Sequence, residues 1–314
     1  MSDLYNRFLS YLHLKRASAR IAGALRRGET SLSFGPSSLN LMMVDACNSQ
    51  CIMCGHDYRG CGSGEVLTLA KVQTIYGHLD LRQIVDVIYG GGGEPFLNHE
   101  LAEIAEYTRR LHPSVQHTVI TNLISAEEAT LVRLLRIRLH FLISINAARR
   151  ETYRIVSGQD AFDNVLANIR ALVALRRATR SSSHIAVSII LMKSNIAELP
   201  ELLRLARDLG VDAVKAVYVR VYPDGYRDRE GTSTRIRPED SLFYHQDLSD
   251  RTLKDAERLA GELGISFSRP PLFSEAAAKP RDCTEPWRSL YINYDGKLFA
   301  CAAGEIHFKH KIEQ

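Results

Sequence analysis

From Ser38 onward, short apolar runs alternate with segments whose apolar residues recur at helical spacing. The runs Leu39–Val44, Ile84–Tyr89, Gln116–Thr121, Leu139–Ile145, Ile185–Met192 and Ala213–Val221 predict strands. Between them, Leu69–His78, His99–Leu111, Ala126–Arg136, Asp160–Arg177 and Ile196–Leu209 predict helices. The period is plainest in the fourth helix, where Phe162, Val165, Leu166, Ile169, Leu172 and Val173 share one face. Six strand-then-helix units in a row predict right-handed crossovers and a parallel sheet. Their spacing suits an α/β fold, a partial (β/α)6 TIM-like barrel spanning residues 38–221. In such folds ligands bind beyond the C-terminal ends of the strands.

Outside that stretch the rhythm changes. In residues 1–37, Leu4, Phe8, Leu12 and Ile21 stand at near-helical spacing with Lys15, Arg16, Arg20, Arg26 and Arg27 between them. A helical leader capping the fold with a solvated basic face is the preferred reading over a membrane-surface helix. Residues 222–265 comprise a long polar loop, Tyr222 to Asp250, and a helix, Thr252–Leu263. Loops of this length are usually functional or disordered, and this one reads equally as a lid over the barrel mouth or as a mobile segment. Residues 266–314 contain Ser289–Asn293 and Lys297–Phe299 around Asp295-Gly296, a small C-terminal β-hairpin subdomain with Cys283 before it and Cys301 after it.

Composition narrows the class. Apolar residues at 45% and charged residues at 24% are ordinary for a soluble globular enzyme. A net charge of +4 over 314 residues makes no case for nucleic acid as the main partner. No apolar run approaches the roughly 20 residues that span a bilayer, and the N-terminus lacks a signal-peptide pattern. The expected location is cytoplasmic, where clustered cysteines read as metal or catalytic sites before disulfides.

Three of the six cysteines fall in Cys47-Asn48-Ser49-Gln50-Cys51-Ile52-Met53-Cys54, just past the first strand. An odd number cannot all pair as disulfides, and three soft thiolates on one loop suit an iron–sulfur cluster. Three ligands leave one iron of a four-iron cluster open. A second motif, Gly90-Gly91-Gly92-Gly93-Glu94-Pro95, ends the second strand. It fails the dinucleotide fingerprint because Pro95 stands where a glycine is needed. The glycines allow close backbone approach, and Pro95 fixes the chain beside Glu94.

Together the two motifs resemble the radical S-adenosylmethionine enzymes, with Cys-x3-Cys-x2-Cys after the first strand and Gly-Gly-Glu-Pro after the second. The resemblance covers roughly Ser38 to Val221. It implies Cys47, Cys51 and Cys54 as ligands of a [4Fe-4S] cluster whose open iron is chelated by the methionine part of S-adenosylmethionine. Glu94, with the backbone of Gly92 and Gly93 and held by Pro95, would receive the methionine ammonium. Met53 replaces the family's usual aromatic, and its backbone is the part expected at the adenine. Thr121-Asn122, Ser144 with Asn146, and Asn195 end the third, fourth and fifth strands, where relatives place polar residues on the ribose and carboxylate. Asn is equally a turn residue. Arg154 and Arg220 are carboxylate or substrate contacts, or surface salt bridges.

Cys283-Thr284-Glu285-Pro286-Trp287 through Cys301 looks like the opening of a Twitch/SPASM extension, which implies a second, auxiliary iron–sulfur cluster on Cys283 and Cys301. No cysteine follows in the last thirteen residues, so truncation is preferred to a degenerate site. Cys61, in a glycine-rich loop, is incidental in preference to a hydrogen-atom donor. His56 and His99 show no ligand pattern.

The family chemistry implied is one-electron reduction, from a donor such as flavodoxin or ferredoxin, cleaving the cofactor to a 5′-deoxyadenosyl radical that abstracts hydrogen from substrate. The expected substrate is a small molecule, such as a sugar or a secondary-metabolism intermediate, undergoing oxidation, epimerisation or related maturation. It is preferred because the segment before Ser38 is short for a leader-binding domain. The alternative is a peptide-modifying SPASM maturase. A reading from another class is a non-catalytic cluster or zinc protein, although zinc needs a fourth ligand and only His56 is near.

Overall fold

Burial alternates along the central strands, as side chains on a pleated strand must. In β3 (Gln116–Thr121), His117, Val119 and Thr121 are buried while Thr118 and Ile120 stay half-buried. In β4 (His140–Ser144), Phe141 and Ile143 are buried and Leu142 and Ser144 are not. One face of the sheet is therefore covered, and the other is partly open. The structure is a computed structural model describing residues 18–29, 33–55, 62–221, 236–275 and 283–301. The predicted positions Cys61 and His56, and residues 222–235 of the long loop, lie outside the described residues.

The chain runs through a helix α1 (residues 18–27), β1 (Ser38–Leu41), α2 (Leu69–Gly77), β2 (Asp86–Tyr89), α3 (Leu101–Leu111), β3 and α4 (Glu128–Arg136). Then come β4, α5 (Arg150–Ser157), α6 (Phe162–Ala178), β5 (Ile185–Leu191), α7 (Leu199–Leu209) and β6 (Ala213–Tyr218). Last are α8 (Gln246–Leu263), β7 (Ser266–Ser268), α9 (Glu285–Arg288), β8 (Ser289–Ile292) and β9 (Leu298–Phe299). The strands form one sheet in the order β7-β6-β5-β4-β3-β2-β1-β8-β9. Every neighbouring pair is parallel except β8 and β9.

The covered face carries the core. Val165, Ile169 and Leu172 of α6 and Leu202, Leu203 and Ala206 of α7 join Phe141, Ile143, Val187, Ile189 and Val214 of the sheet in one apolar cluster. Truncating a buried aromatic such as Phe141 to alanine costs about 3–5 kcal/mol in a core of this kind. The face amphipathy predicted for α6 is observed residue for residue.

The sheet also curls. Met53, just past β1, packs with Val156, Met192, Val219 and Ile236, so the loop after β1 touches the far ends of β5 and β6. The charge of Arg220, past β6, is felt by Tyr291 in β8, although five strands separate β6 from β8 in the sheet. A parallel sheet closed this way, with helices outside, is the partial TIM-like barrel that the alternation predicts.

Four features depart from the sequence reading. The C-terminal hairpin is not a separate sheet, because β8 runs parallel to β1 with Asn40 opposite Tyr291. It is tied further by Met42 N–H to Ile292 O (2.8 Å), Lys71 Nζ to Tyr294 O (2.9 Å) and Trp287 Nε1 to Glu29 O (2.9 Å). β7 adds a seventh strand to the barrel side, too short and too serine-rich to register as an apolar run. α5 was not expected either, since only Tyr153, Val156 and Ser157 of its eight residues are buried. The first and sixth strands end earlier than predicted, at Leu41 and Tyr218, where the chain leaves the ladder for loops. Among the described residues no helix is long and apolar enough to cross a membrane.

His117 is an unusual core residue. Fully buried, it pairs through Nδ1 with the Tyr89 hydroxyl (2.8 Å), and its Nε2 has no partner. Burial holds the imidazole well below its ordinary range. Below about pH 6.5 the unfolded chain takes up a proton that the native His117 refuses, so stability falls as pH falls. Denaturant melts at pH 7 and pH 5 should show His117→Gln losing less stability on acidification than wild type, by up to about 1.4 kcal/mol per pH unit. Equal pH slopes for the two chains would contradict this.

Candidate active site

The loop after β1 is held on both sides. Leu67 N–H donates to Met43 O (2.9 Å) and Asp45 N–H to Glu65 O (2.8 Å), so the chain entering the cysteine loop is paired with the chain leaving it. The Asp45 carboxylate accepts from the Ser63 N–H (3.0 Å) and hydroxyl (2.8 Å). On the other flank, Gln50 N–H donates to Ser157 O and Ile52 N–H to Val156 O, both 2.9 Å, at the end of α5. That approach needs Gly158, at φ +67°, because a Cβ there would lie 2.7 Å from Gln50 O.

Cys47, Cys51 and Cys54 are half-buried on this loop, and none of them is in a disulfide. Burial pushes the Cys47 thiol up to about 12, helped by the charges of Glu94 and Cys54 against backbone donors from Ser49 and Asn48. The same three groups thus share one electrostatic environment. Tyr153 of α5, itself buried, also feels Cys51 and Glu94.

The glycine motif docks on this loop from β2. Gly93 adopts φ +68°, and a Cβ on it would lie 2.2 Å from Val44 O and 2.5 Å from Ala46 O. No other residue fits. Glu94 N–H then donates to Ala46 O (2.9 Å), one residue before Cys47. The Glu94 carboxylate, 2% exposed, accepts from Thr121 Oγ1 (2.5 Å), Asn122 N–H (2.8 Å) and Phe96 N–H (3.2 Å). Pro95 opens the short 3-10 turn Pro95–Leu97, where its missing N–H costs nothing. Burial outweighs the three donors and raises Glu94 to about 7.

The strand-end candidates separate into two groups. Asn122 belongs to the site: its Nδ2 faces Asn48 Oδ1 (2.7 Å), Ser49 Oγ (3.1 Å) and Cys47 Sγ (3.9 Å). Ser144 lies on the half-open sheet face, 3.5 Å from Ser188 Oγ. Asn195 does not reach the site with a free group. Both its amide hydrogens are given to Asn146 O and Ile190 O, and its Oδ1 accepts Met192 N–H. Asn146, at φ +57°, likewise accepts Ile190 N–H. Met53 is buried in the small cluster that roofs the loop.

Of the remaining candidates, Arg154 is exposed on α5 and has no ion pair among the described residues. His99 stands 3.8 Å from Glu100 on the surface. Cys283 is exposed before α9, and Cys301 is half-buried after β9. Two structural residues were missed by sequence reasoning. Asn98 donates to Met43 O (2.7 Å) and Leu67 O (2.9 Å), bracing both stems of the cysteine loop. Glu198 accepts Ala148 N–H (2.8 Å) and Arg149 N–H (3.2 Å) ahead of α5. Neither carries a sequence signal beyond being polar near a turn.

The donor set fits an iron–sulfur cluster. A four-iron cluster takes one thiolate per iron, so its ligands need not converge on a point. Among the described residues no three His, Cys, Asp or Glu side chains come close enough to hold a single metal ion. Three thiols on a clamped loop, beside a buried carboxylate suited to a cation, match a cluster and its amino-acid ligand better than zinc.

Comparison with known proteins agrees. The family model of the Radical SAM superfamily matches residues 41–206. The PqqA peptide cyclase of Gluconobacter oxydans (strain 621H) is 24% identical over 279 residues, covering 86% of this chain and 71% of that protein. A probable GTP 3′,8-cyclase of Saccharolobus solfataricus is 26% identical over 188 residues, 57% of this chain and 56% of that one. The fold is shared with the crystal structure of Streptococcus suis SuiB bound to S-adenosylmethionine, at a TM-score of 0.70 and 15% identity over 94% of this chain. The chain spans 66% of the length of SuiB. Members of the matched family use a [4Fe-4S] cluster and S-adenosylmethionine, and on the match to residues 41–206 the chain belongs to the radical SAM superfamily.

Proposed function

We propose that this chain is a radical S-adenosylmethionine enzyme acting on a peptide. The observation that carries the chemistry is the docking of Gly93-Glu94 onto the carbonyls just ahead of Cys47. Cys47, Cys51 and Cys54 would hold the cluster, and Glu94 with the backbone of Gly92 and Gly93 the methionine ammonium. When bound and reduced by one electron, cluster and cofactor supply a 5′-deoxyadenosyl radical able to take hydrogen from an unactivated C–H bond. The chain contributes placement and exclusion of water: the loop clamp fixes the cysteine loop, and the Met53 cluster packs apolar side chains against Cys51.

The peptide reading takes the place of the small-molecule expectation. Support comes from the PqqA peptide cyclase, alike along 86% of this chain, and from the SuiB fold, which is also known bound to the precursor peptide SuiA. A flavodoxin or ferredoxin remains the proposed electron donor, and a reducing cytoplasm the proposed location. Cys283 and Cys301 are the proposed ligands of an auxiliary cluster.

Anaerobic reconstitution should load about four irons per chain, as a four-iron cluster requires. Added S-adenosylmethionine and dithionite should then release 5′-deoxyadenosine. Cys51→Ala should abolish that release; bound zinc without cleavage would contradict the enzyme reading. With a candidate precursor peptide deuterated at the reacting carbon, the released 5′-deoxyadenosine should carry deuterium.

Glu94 gives a pH test. Its carboxylate, raised to about 7, must be ionised to hold an ammonium, so cofactor affinity should fall as pH drops through 7. Glu94→Gln should weaken S-adenosylmethionine binding roughly 10–100-fold at pH 8 and flatten the pH dependence, a charged hydrogen bond being lost. A wild-type affinity unchanged between pH 8 and pH 6 would contradict the assignment.

A further inference from the structure

Asn122, the residue after β3, touches both halves of the site. Its backbone N–H donates to Glu94 Oε2 (2.8 Å), and its side-chain amide faces Cys47. The turn that carries it is fixed from within and from behind. Thr121 Oγ1 accepts Leu123 N–H (2.8 Å), Asn122 Oδ1 accepts Ile124 N–H (3.0 Å), and Asn168 of α6 donates to Leu123 O (2.8 Å). Because an N–H donor takes up Oδ1, the network assigns Nδ2 as the atom turned to the cysteine loop.

Three acceptors meet Nδ2 there, and an amide has only two hydrogens to give. Asn48 Oδ1 is nearest at 2.7 Å, then Ser49 Oγ at 3.1 Å, then Cys47 Sγ at 3.9 Å. Asn48 is held with its oxygen toward Asn122 by its own Nδ2, which donates to Ser125 Oγ (2.8 Å). One hydrogen therefore belongs to Asn48. The second lies between a serine hydroxyl and a sulfur. A neutral thiol is a weak acceptor and leaves that hydrogen to the serine. A thiolate is an anion, and hydrogen bonds to an ionised partner are shorter and roughly twice as strong. Once Cys47 is deprotonated to bind iron, its sulfur is the better partner.

We propose that Asn122 donates through Nδ2 to the Cys47 thiolate and so raises the reduction potential of the cluster that this cysteine would hold. The inference rests on the cluster assignment above and adds a residue that sets how readily the cluster accepts its electron. A donor at a ligand sulfur stabilises negative charge, and the reduced cluster carries one electron more, so the reduced state gains the most. Asn122 is a positioning residue in this role, since it acts through Cys47. Its N–H bond to Glu94 is made by backbone and survives replacement of the side chain by alanine or aspartate.

Redox titration of the reconstituted enzyme, followed by electron paramagnetic resonance of the reduced cluster, tests this. Asn122→Ala should lower the one-electron midpoint potential by about 59 mV, a tenfold change in the reduction equilibrium. Asn122→Asp keeps the size and an acceptor for Ile124 N–H, and should lower the potential at least as far, because an oxygen then faces the sulfur. Asn48→Ala removes a brace from the same loop yet frees an amide hydrogen for Cys47, so its potential should stay at or above that of wild type. Iron content and circular dichroism establish that each chain is loaded and folded. A second measurement needs no variant. With asparagine labelled at the side-chain amide with the heavy nitrogen isotope, spin-echo modulation of the reduced wild-type cluster should show a coupling to the label.

Loaded Asn122 variants that titrate with wild type would overturn the inference, as would equal drops in Asn122→Ala and Asn48→Ala. Absence of the nitrogen coupling in wild type would overturn it as well. If Asn122→Ala weakens S-adenosylmethionine binding and leaves the potential alone, Asn122 is a cofactor contact and the inference fails. A wild-type chain that assembles no four-iron cluster would instead remove the reading on which it rests.

Discussion

The site depends on one close approach, that of Gly93 to the carbonyls of Val44 and Ala46. A side chain at that position would put its first carbon 2.2 Å from an oxygen, well inside any tolerable contact. Because the contact is glycine against backbone, the end of β2 can lie directly on the chain leaving β1. Glu94 N–H then bonds Ala46 O, and the carboxylate is carried under the rim beside the thiols. The two motifs are separated by more than thirty residues of chain, and this contact makes them one site.

Electrostatics gives that site its character. Glu94 has three good donors and is still raised to about 7, because burial penalises its charge more than the donors reward it. Cys47 is pushed up to about 12 by burial for the same reason, with Glu94 and Cys54 adding to it. Both groups are poor anions until positive charge arrives. In the proposed assignment, a cluster on the thiols and an ammonium at the carboxylate would supply it. The surrounding asparagines hold backbone in place: Asn98 braces the loop stems, Asn122 the cysteine loop itself, and Asn195 the turn after β5. Rigid support of this kind keeps a reactive centre in register.

Much of this was legible in the sequence, and the reasons differ by feature. The apolar period of α6 and the strand alternation follow from burial on one face, which sequence records directly. The cysteine and glycine motifs were legible because their chemistry needs specific residue types. The contacts that join them were not, because Val44 and Ala46 act through carbonyls that every residue possesses. α5 was missed although it clamps the cysteine loop, since it does so through the carbonyls of Val156 and Ser157. β7 escaped because three residues, two of them exposed serines, make no apolar run. Asn195 brackets backbone around the turn after β5, and its sequence context is the same for that role and for a ligand contact.

Gly93→Ala addresses the central contact most directly. The reduced, reconstituted cluster of the wild-type chain should show an electron paramagnetic resonance signal that changes when S-adenosylmethionine is added. In Gly93→Ala, with the fold checked by circular dichroism, the added Cβ forces Glu94 away from the loop, and the cofactor should no longer alter the signal. A variant whose signal responds to the cofactor at wild-type concentrations would contradict the account, because the two motifs would then form a site without that contact.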